Sequence, residues 1–337
     1  MTRSALRGAG LRFAFRGSAA LACAAFGSVA CRDQVPLGSW LSETGGEGGA
    51  ASAGVSGASG GVAGDGGAGG EDAVTFPACL EAGTPFSTNV AGDELGSTET
   101  STDWTLPNPV ESIEWDLSVE RDVTETEPPT SGYYYHHRFS FVRGAPGIFG
   151  IQSEGIYQSD PPGSEREVTK MAVFWLGGAP LEAELGDIAY PDARVAPATA
   201  NGVNWLTIHA RFAWEACHVY RFRVAPESTD DDGNIWYGAW ISDLTTGDVT
   251  FLGRMLVAPD AGLISPGTTS RVSPIVFGAL SCSVPSPASA MFAAPRGNGG
   301  TVLPSFQTNY FESPARCATS RFTNFTGFVR HEIGEDP

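Results

Sequence analysis

The sequence predicts an all-β chain, a single large lectin-like or jelly-roll β-sandwich, and three observations point there. Glycine supplies 43 of 337 residues and proline 23, while charged residues make up only 17%, below the roughly one quarter of ordinary globular domains. That mix suits turn-rich β structure and not surface helices, which are normally charged. Short runs rich in Val, Ile, Phe, Tyr and Trp recur from residue 79 onward, separated by turn clusters such as Glu127-Pro128-Pro129-Thr130-Ser131-Gly132 and Ser159-Asp160-Pro161-Pro162-Gly163. No segment carries a sustained apolar stripe of period 3.6.

Taken in order, the chain opens with a positive region, Arg3, Arg7, Arg12 and Arg16, followed by a short apolar run from Ser18 to Ala30. Residues 1–30 therefore read as a secretory signal peptide, too short to span a bilayer. The small residues Ser28-Val29-Ala30 before Cys31 resemble a bacterial lipoprotein signal, with leucine's preferred place taken by Ser28. On that reading Cys31 is lipidated; the alternative is cleavage near Ala30 with Cys31 a spare thiol. Residues 31–73 show no periodicity, and thirteen glycines fall between positions 45 and 70. This is the composition of a flexible tether, with a mean reach of about 35 Å. Residues 74–337 form the predicted sandwich domain.

Four cysteines remain beyond the signal, Cys79, Cys217, Cys282 and Cys317. An even number in an exported chain predicts two disulfides, and sequence leaves all three pairings open. No two are spaced as zinc ligands. Candidate strands follow at 112–119, 133–142, 148–152, 168–175, 205–212, 218–224, 235–241, 249–257, 276–280, 290–293 and 327–333. About eleven strands suit a two-sheet sandwich.

Ordered landmarks run through these strands: Gly147-Ile148-Phe149-Gly150-Ile151-Gln152, Val173-Phe174-Trp175, Tyr220-Arg221-Phe222-Arg223-Val224, and Tyr237-Gly238-Ala239-Trp240-Ile241-Ser242-Asp243 with Thr246-Gly247. Over roughly residues 110–330 the chain resembles a secreted bacterial family, domain of unknown function 3472. The resemblance implies a lectin-like sandwich and carries no activity with it.

Strand alternation supplies the functional candidates. In 205–212, Leu206, Ile208, Ala210 and Phe212 share the core side, leaving Trp205, Thr207, His209 and Arg211 opposite. In 218–224 the arginines Arg221 and Arg223 oppose an apolar set, and in 235–241 Trp236 and Trp240 do the same. If these consecutive strands are sheet neighbours, one outer face carries Trp205, His209, Arg211, Arg221, Arg223, Trp236 and Trp240. Indole rings stack on pyranose faces, and guanidinium forks bind carboxylate or sulfate. The competing account packs the tryptophans under a loop and pairs the arginines with the abundant acids.

Other clusters point to chemistry less directly. Glu114, Asp116, Ser118 and Glu120 alternate along one strand and resemble the Glu-x-Asp-x-x-Glu signature of laminarinase-type glycosidases, but Val119 stands where the second glutamate belongs. A solvated strand face is the expectation there. Asp230, Asp232 and Asn234 offer calcium-loop oxygens, yet Ile235 takes the glycine position and no bidentate glutamate follows, so a turn is expected. His136 and His137 are neighbours in a strand and point to opposite sides; exposed tips are expected. No Gly-x-Ser-x-Gly elbow or phosphate loop occurs, so no catalytic residue and no cofactor is assigned. The net charge of −18 argues against unspecific binding to nucleic acid or anionic membranes.

These readings together describe an exported, lipid-anchored cell-envelope protein with a glycan-binding face. A polysaccharide-cleaving enzyme and a purely structural envelope protein are the alternatives. The anchor is testable on its own: Cys31→Ala should move the protein from the membrane fraction to the soluble exported fraction with the sandwich still folded, and unchanged fractionation refutes lipidation.

Overall fold

The computed structural model describes residues 75–79, 97–122, 131–158, 166–178, 182–200, 203–276, 288–314 and 320–333. Cys31, Cys282, Cys317 and residues 1–73, where the signal peptide and tether are expected, lie outside the described residues. The strands are β1 (Ser97–Thr105), β2 (Ile113–Arg121), β3 (Ser131–Ser140), β4 (Pro146–Gln158), β5 (Arg166–Gly177), β6 (Glu182–Leu185), β7 (Ala193–Ala200), β8 (Val203–Arg211), β9 (Tyr220–Thr229), β10 (Ile235–Asp243), β11 (Val249–Val257), β12 (Gly267–Val276), β13 (Ala288–Ala293), β14 (Arg296–Gly297), β15 (Phe306–Pro314), β16 (Ser320–Phe325) and β17 (Phe328–Ile333). The expected sandwich forms from two antiparallel sheets. The first has the order β15-β1-β12-β3-β4-β5-β8-β7, and the second β16-β17-β13-β2-β9-β10-β11-β6, with β14 also paired to β2.

Hairpin meanders β3-β4-β5 and β9-β10-β11 alternate with segments that cross between the sheets. One crossing corrects a sequence expectation: β8 belongs to the first sheet and β9 to the second, so the strands bearing the candidate site are not all neighbours. Residues 212–219 make that crossing and are pinned along the way. The Trp214 indole donates to the Gln152 carbonyl at 2.8 Å, the Cys217 amide donates to the Val119 carbonyl at 2.8 Å, and Cys217 is disulfide-bonded to Cys79. That bond realises one of the open pairings.

The strands missed by sequence share a composition. β1, β12, β15 and β16 are rich in Ser, Thr, Asn and Gln, which reads as loop, and β6 and β7 are sheet edges. Pro197 in β7 suits an edge, where an absent amide leaves no gap in the ladder. The expected strand at 276–280 corresponds only to the last residue of β12; residues 277–280 lie outside the described residues.

Between the sheets, the core is aromatic at its centre. Trp115 of β2 is fully buried, stacked on Phe222 (5.6 Å, 5°) and on His137 from the opposite sheet (4.5 Å, 22°), with Phe149 edge-on at 6.0 Å. His136 and His137 do face opposite sides, but both are buried, which overturns the expected exposed tips. His136 lies on the outer face of the first sheet, stacked on Tyr134, and accepts from the Arg138 guanidinium at 3.2 Å.

Toward β1 and β17 the core turns polar. The Thr102 hydroxyl donates to Asn309 Oδ1 at 2.9 Å, so it accepts from His331 Nε2–H, also at 2.9 Å. His331 Nδ1 then accepts from the Thr100 hydroxyl at 3.1 Å. The chain continues from Asn309 Nδ2 to Asn324 Oδ1 at 2.8 Å, stitching the first sheet to the second. The Ser270 hydroxyl similarly joins the Trp104 indole N–H (2.9 Å) and His137 Nδ1 (3.0 Å). Every polar group left unpaired here would cost about 1–3 kcal/mol.

Burial pulls His137 and His331 down to about 3 from 6.5. An unfolded chain takes up those protons below pH 6.5, while the folded chain cannot until about pH 3. Stability is therefore full above pH 6.5 and falls as the pH drops toward 3, with each histidine contributing a slope of up to about 1.4 kcal/mol per pH unit. Denaturant midpoints measured from pH 7 down to 4 should show that slope, and His331→Gln should flatten it; an unchanged slope refutes the assignment.

Candidate functional site

The outer face of the second sheet carries the most unusual surface. Its centre is Trp240 of β10, half-buried, whose ring lies across Gly238 two residues earlier. A Cβ at Gly238 would come within 2.3 Å of that ring. Trp240 pairs with Arg223 of β9 on one side and with Phe251 of β11 on the other. The ring is accordingly flanked by the exposed Arg223 guanidinium at 5.4 Å and by Phe251 stacked at 5.3 Å and 29°.

Phe251 reaches this position through a bulge. Ala239 pairs with Gly253 but Trp240 with Phe251, so Leu252 is skipped and turns into the core while Phe251 turns out. Gly253 takes φ +144, a conformation side chains rarely adopt. Further along the ridge, the Arg254 guanidinium sits 4.6 Å over the buried Trp236 ring. Glu184 accepts from Arg254 Nε at 2.7 Å, and Glu227 pairs with it at 3.7 Å. Two indoles, each with a cation over its face, thus form a ridge about four residues long in a chain of net charge −18. Cation–π contacts at exposed sites are worth about 0.5–1 kcal/mol each.

Beside the ridge lies β2, whose outer row corrects the expectation of a solvated face. Glu114, Asp116, Ser118 and Glu120 are all buried, covered by arginines from three strands. Asp116 accepts from Arg221 Nε at 2.8 Å and Nη2 at 3.2 Å, and from Arg296 at 3.2 and 3.3 Å. Glu114 shares Arg296 at 3.1 Å. Glu120 takes a bidentate fork from Arg330, 2.7 Å for both bonds, and a bond from the Ser289 hydroxyl at 2.8 Å. Both oxygens of Asp116 and of Glu120 are engaged, and Val119 points into the core. A sugar-cleaving pair needs two carboxyls confronting a substrate across a cleft, and this row confronts guanidinium groups instead.

Of the seven candidate residues, Arg221, Arg223, Trp236 and Trp240 share this face. Trp205, His209 and Arg211 stand on the outer face of the first sheet, because the crossing after β8 changes sheets. There Trp205 is buried edge-on to Trp175 at 4.3 Å and 73°. Arg211 pairs with Asp192 at 3.2 Å. His209 lies opposite Arg194, and burial, reinforced by that arginine, pulls it down to about 4. Arg221 is a structural partner of Asp116, so the ridge proper consists of Arg223, Trp236 and Trp240 together with Phe251 and Arg254. Sequence reasoning did not single out Phe251, hidden by the bulge, or Arg254, although alternation in β11 offered a signal for it. Arg296 sits in a two-residue strand and gave no signal.

Asp230, Asp232 and Asn234 close the β9–β10 hairpin. Asp230 Oδ1 accepts from the amides of Asp232 (2.9 Å) and Asn234 (2.8 Å), and its Oδ2 from the Asn234 side chain (2.8 Å). The Asn234 side-chain bond, aided by the backbone amides, holds the Asp230 carboxyl below its usual range. Both oxygens serve the turn. Among the described residues no group of three or more His, Cys, Asp or Glu side chains is arranged to hold a metal ion.

The carboxylate row makes a quantitative prediction. Asp116→Asn leaves Arg221 and Arg296 sharing a neutral amide in a buried site and should destabilise the fold by about 3–5 kcal/mol, read from denaturant unfolding. A loss under about 1 kcal/mol, the size expected of a surface pair, refutes the burial of the row.

A scan against protein-family models finds no match to the chain, and a search of curated proteins finds none.

Proposed function

We propose that this chain is an exported cell-envelope protein, anchored through acylated Cys31, whose second sheet binds glycan along the Trp240–Trp236 ridge. The observation that carries the reading is the setting of Trp240: half-buried, propped on Gly238 and Phe251, with the exposed Arg223 guanidinium 5.4 Å from its ring. A pyranose ring that moves Arg223 aside meets a flat indole already held in place, and the displaced guanidinium finds hydroxyl or carboxylate oxygens on the sugar. Fixing the ring beforehand lowers the ordering cost of binding. The Cys79–Cys217 disulfide supports the exported setting, since such bonds persist in oxidising compartments.

A glycan array probed with the protein, with reducing-sugar release assayed in parallel, tests the reading. Binding without release is expected; release of reducing ends would favour the cleaving enzyme. Trp240→Ala should weaken glycan binding at least about tenfold and cost at most about 1–2 kcal/mol of stability, against about 3–5 kcal/mol for a tryptophan removed from a core. A large stability loss with affinity unchanged returns Trp240 to a packing role and removes the reading.

A further inference from the structure

The second sheet pairs most of its arginines with acids. Arg221 and Arg296 bond Asp116, Arg254 bonds Glu184, Arg321 bonds Glu332 and Arg330 bonds Glu120. Arg223 of β9 stands apart. Its side chain is exposed, and among the described residues it bonds no carboxylate. The acid opposite it on β2 is Glu114, whose carboxylate is drawn to Arg296 at 3.1 Å. The chain holds 38 acidic residues against 20 basic ones, yet this guanidinium is left to the Trp240 ring, 5.4 Å away. It shares one cross-strand row with the half-buried Trp240 and Phe251.

The other end of the ridge is already neutral. Arg254, over Trp236, is matched by Glu184 at 2.7 Å and Glu227 at 3.7 Å. An unmatched positive charge is therefore confined to the Trp240 end. A ligand that draws Arg223 off the indole gives up a cation–π contact. A bond from the guanidinium to a neutral hydroxyl returns about as much as is lost, whereas a bond to an anion is about twice as strong. The planar fork also matches a carboxylate through two parallel N–H···O bonds.

We propose that the unit bound at Trp240 is a uronate, a pyranose whose carboxylate is held by Arg223, so that the ridge recognises an acidic polysaccharide. The proposal rests on the glycan-binding reading and names the ligand class of that same site. The net charge of −18 repels a polyanion at long range. That field is screened beyond about 8 Å at physiological ionic strength, which leaves the contact at Arg223 to set the preference.

The test is calorimetric titration of the mature protein, at about 0.15 M salt, with polygalacturonate, alginate and hyaluronan, each beside its carboxyl-reduced counterpart. Dextran sulfate and neutral mannan complete the panel. At least one uronate polymer should bind about tenfold or more tighter than its reduced form. Arg223→Gln should bring the two within about twofold of each other, and Arg223→Lys should restore part of the preference. Both variants should unfold at the parent's denaturant midpoint, because position 223 is exposed. The proposal is overturned if neutral or reduced polymers bind as tightly as the uronates, if the preference survives in Arg223→Gln, or if dextran sulfate alone binds. Each of those results leaves a Trp240-dependent glycan site in place with another ligand. Absence of binding to every polymer removes the ridge reading as well.

Discussion

The arrangement depends on one strand being buried on both sides. β2 sends Trp115, Leu117 and Val119 into the space between the sheets and Glu114, Asp116 and Glu120 to the outside, and neither row is left to water. A slip of one residue would drive carboxylates against Phe222 and His137, so register here is fixed more strongly than in a strand with one wet face. The neighbouring strands are chosen by what the outer row needs. β9 brings Arg221, the short β14 brings Arg296, β17 brings Arg330, and β13 brings Ser289. Ion pairs so deeply placed add little net stability over apolar packing, since desolvation offsets their attraction. They do penalise every alternative pairing of these strands.

The interior is divided in kind as well as in place. Around Trp115 it is a stack of aromatic rings; around His331 it is a chain of hydroxyls, amides and imidazole whose donors and acceptors alternate without a gap from Thr100 to Asn324. The aromatic half supports the strands that carry the Trp240–Trp236 ridge. A ridge on rigid strands is better held than one on loops, and its own bulge at Gly253 sets which side chains it displays.

This division explains what was legible in the sequence. The sandwich and most strands of the aromatic half were readable from apolar alternation, as were the outward directions of Arg223, Trp236 and Trp240. The strands of the polar half were not, because Ser-Thr-rich segments that bond across an interior look like loops when only hydrophobicity is read. Alternation also gives a side and no sheet. Trp205 and Trp240 both point outward, and only the crossing at residues 212–219 puts them on opposite layers. The burial of Asp116 was illegible for a related reason: its partners Arg221 and Arg296 lie 105 and 180 residues away.

The Cys79–Cys217 bond has a mechanical consequence. Tension on the chain ahead of Cys79 passes through the two sulfurs into Cys217 and short-circuits the stretch between them, a sequence separation of 138. Strands β1 to β8 lie in that bypassed stretch, outside the covalent line of force. The load enters the sandwich three residues ahead of β9, whose Arg223 flanks Trp240 of β10. A pull between the N-terminal segment and anything held on the ridge is thus borne by a few strands of the second sheet, while the first sheet serves as unloaded backing.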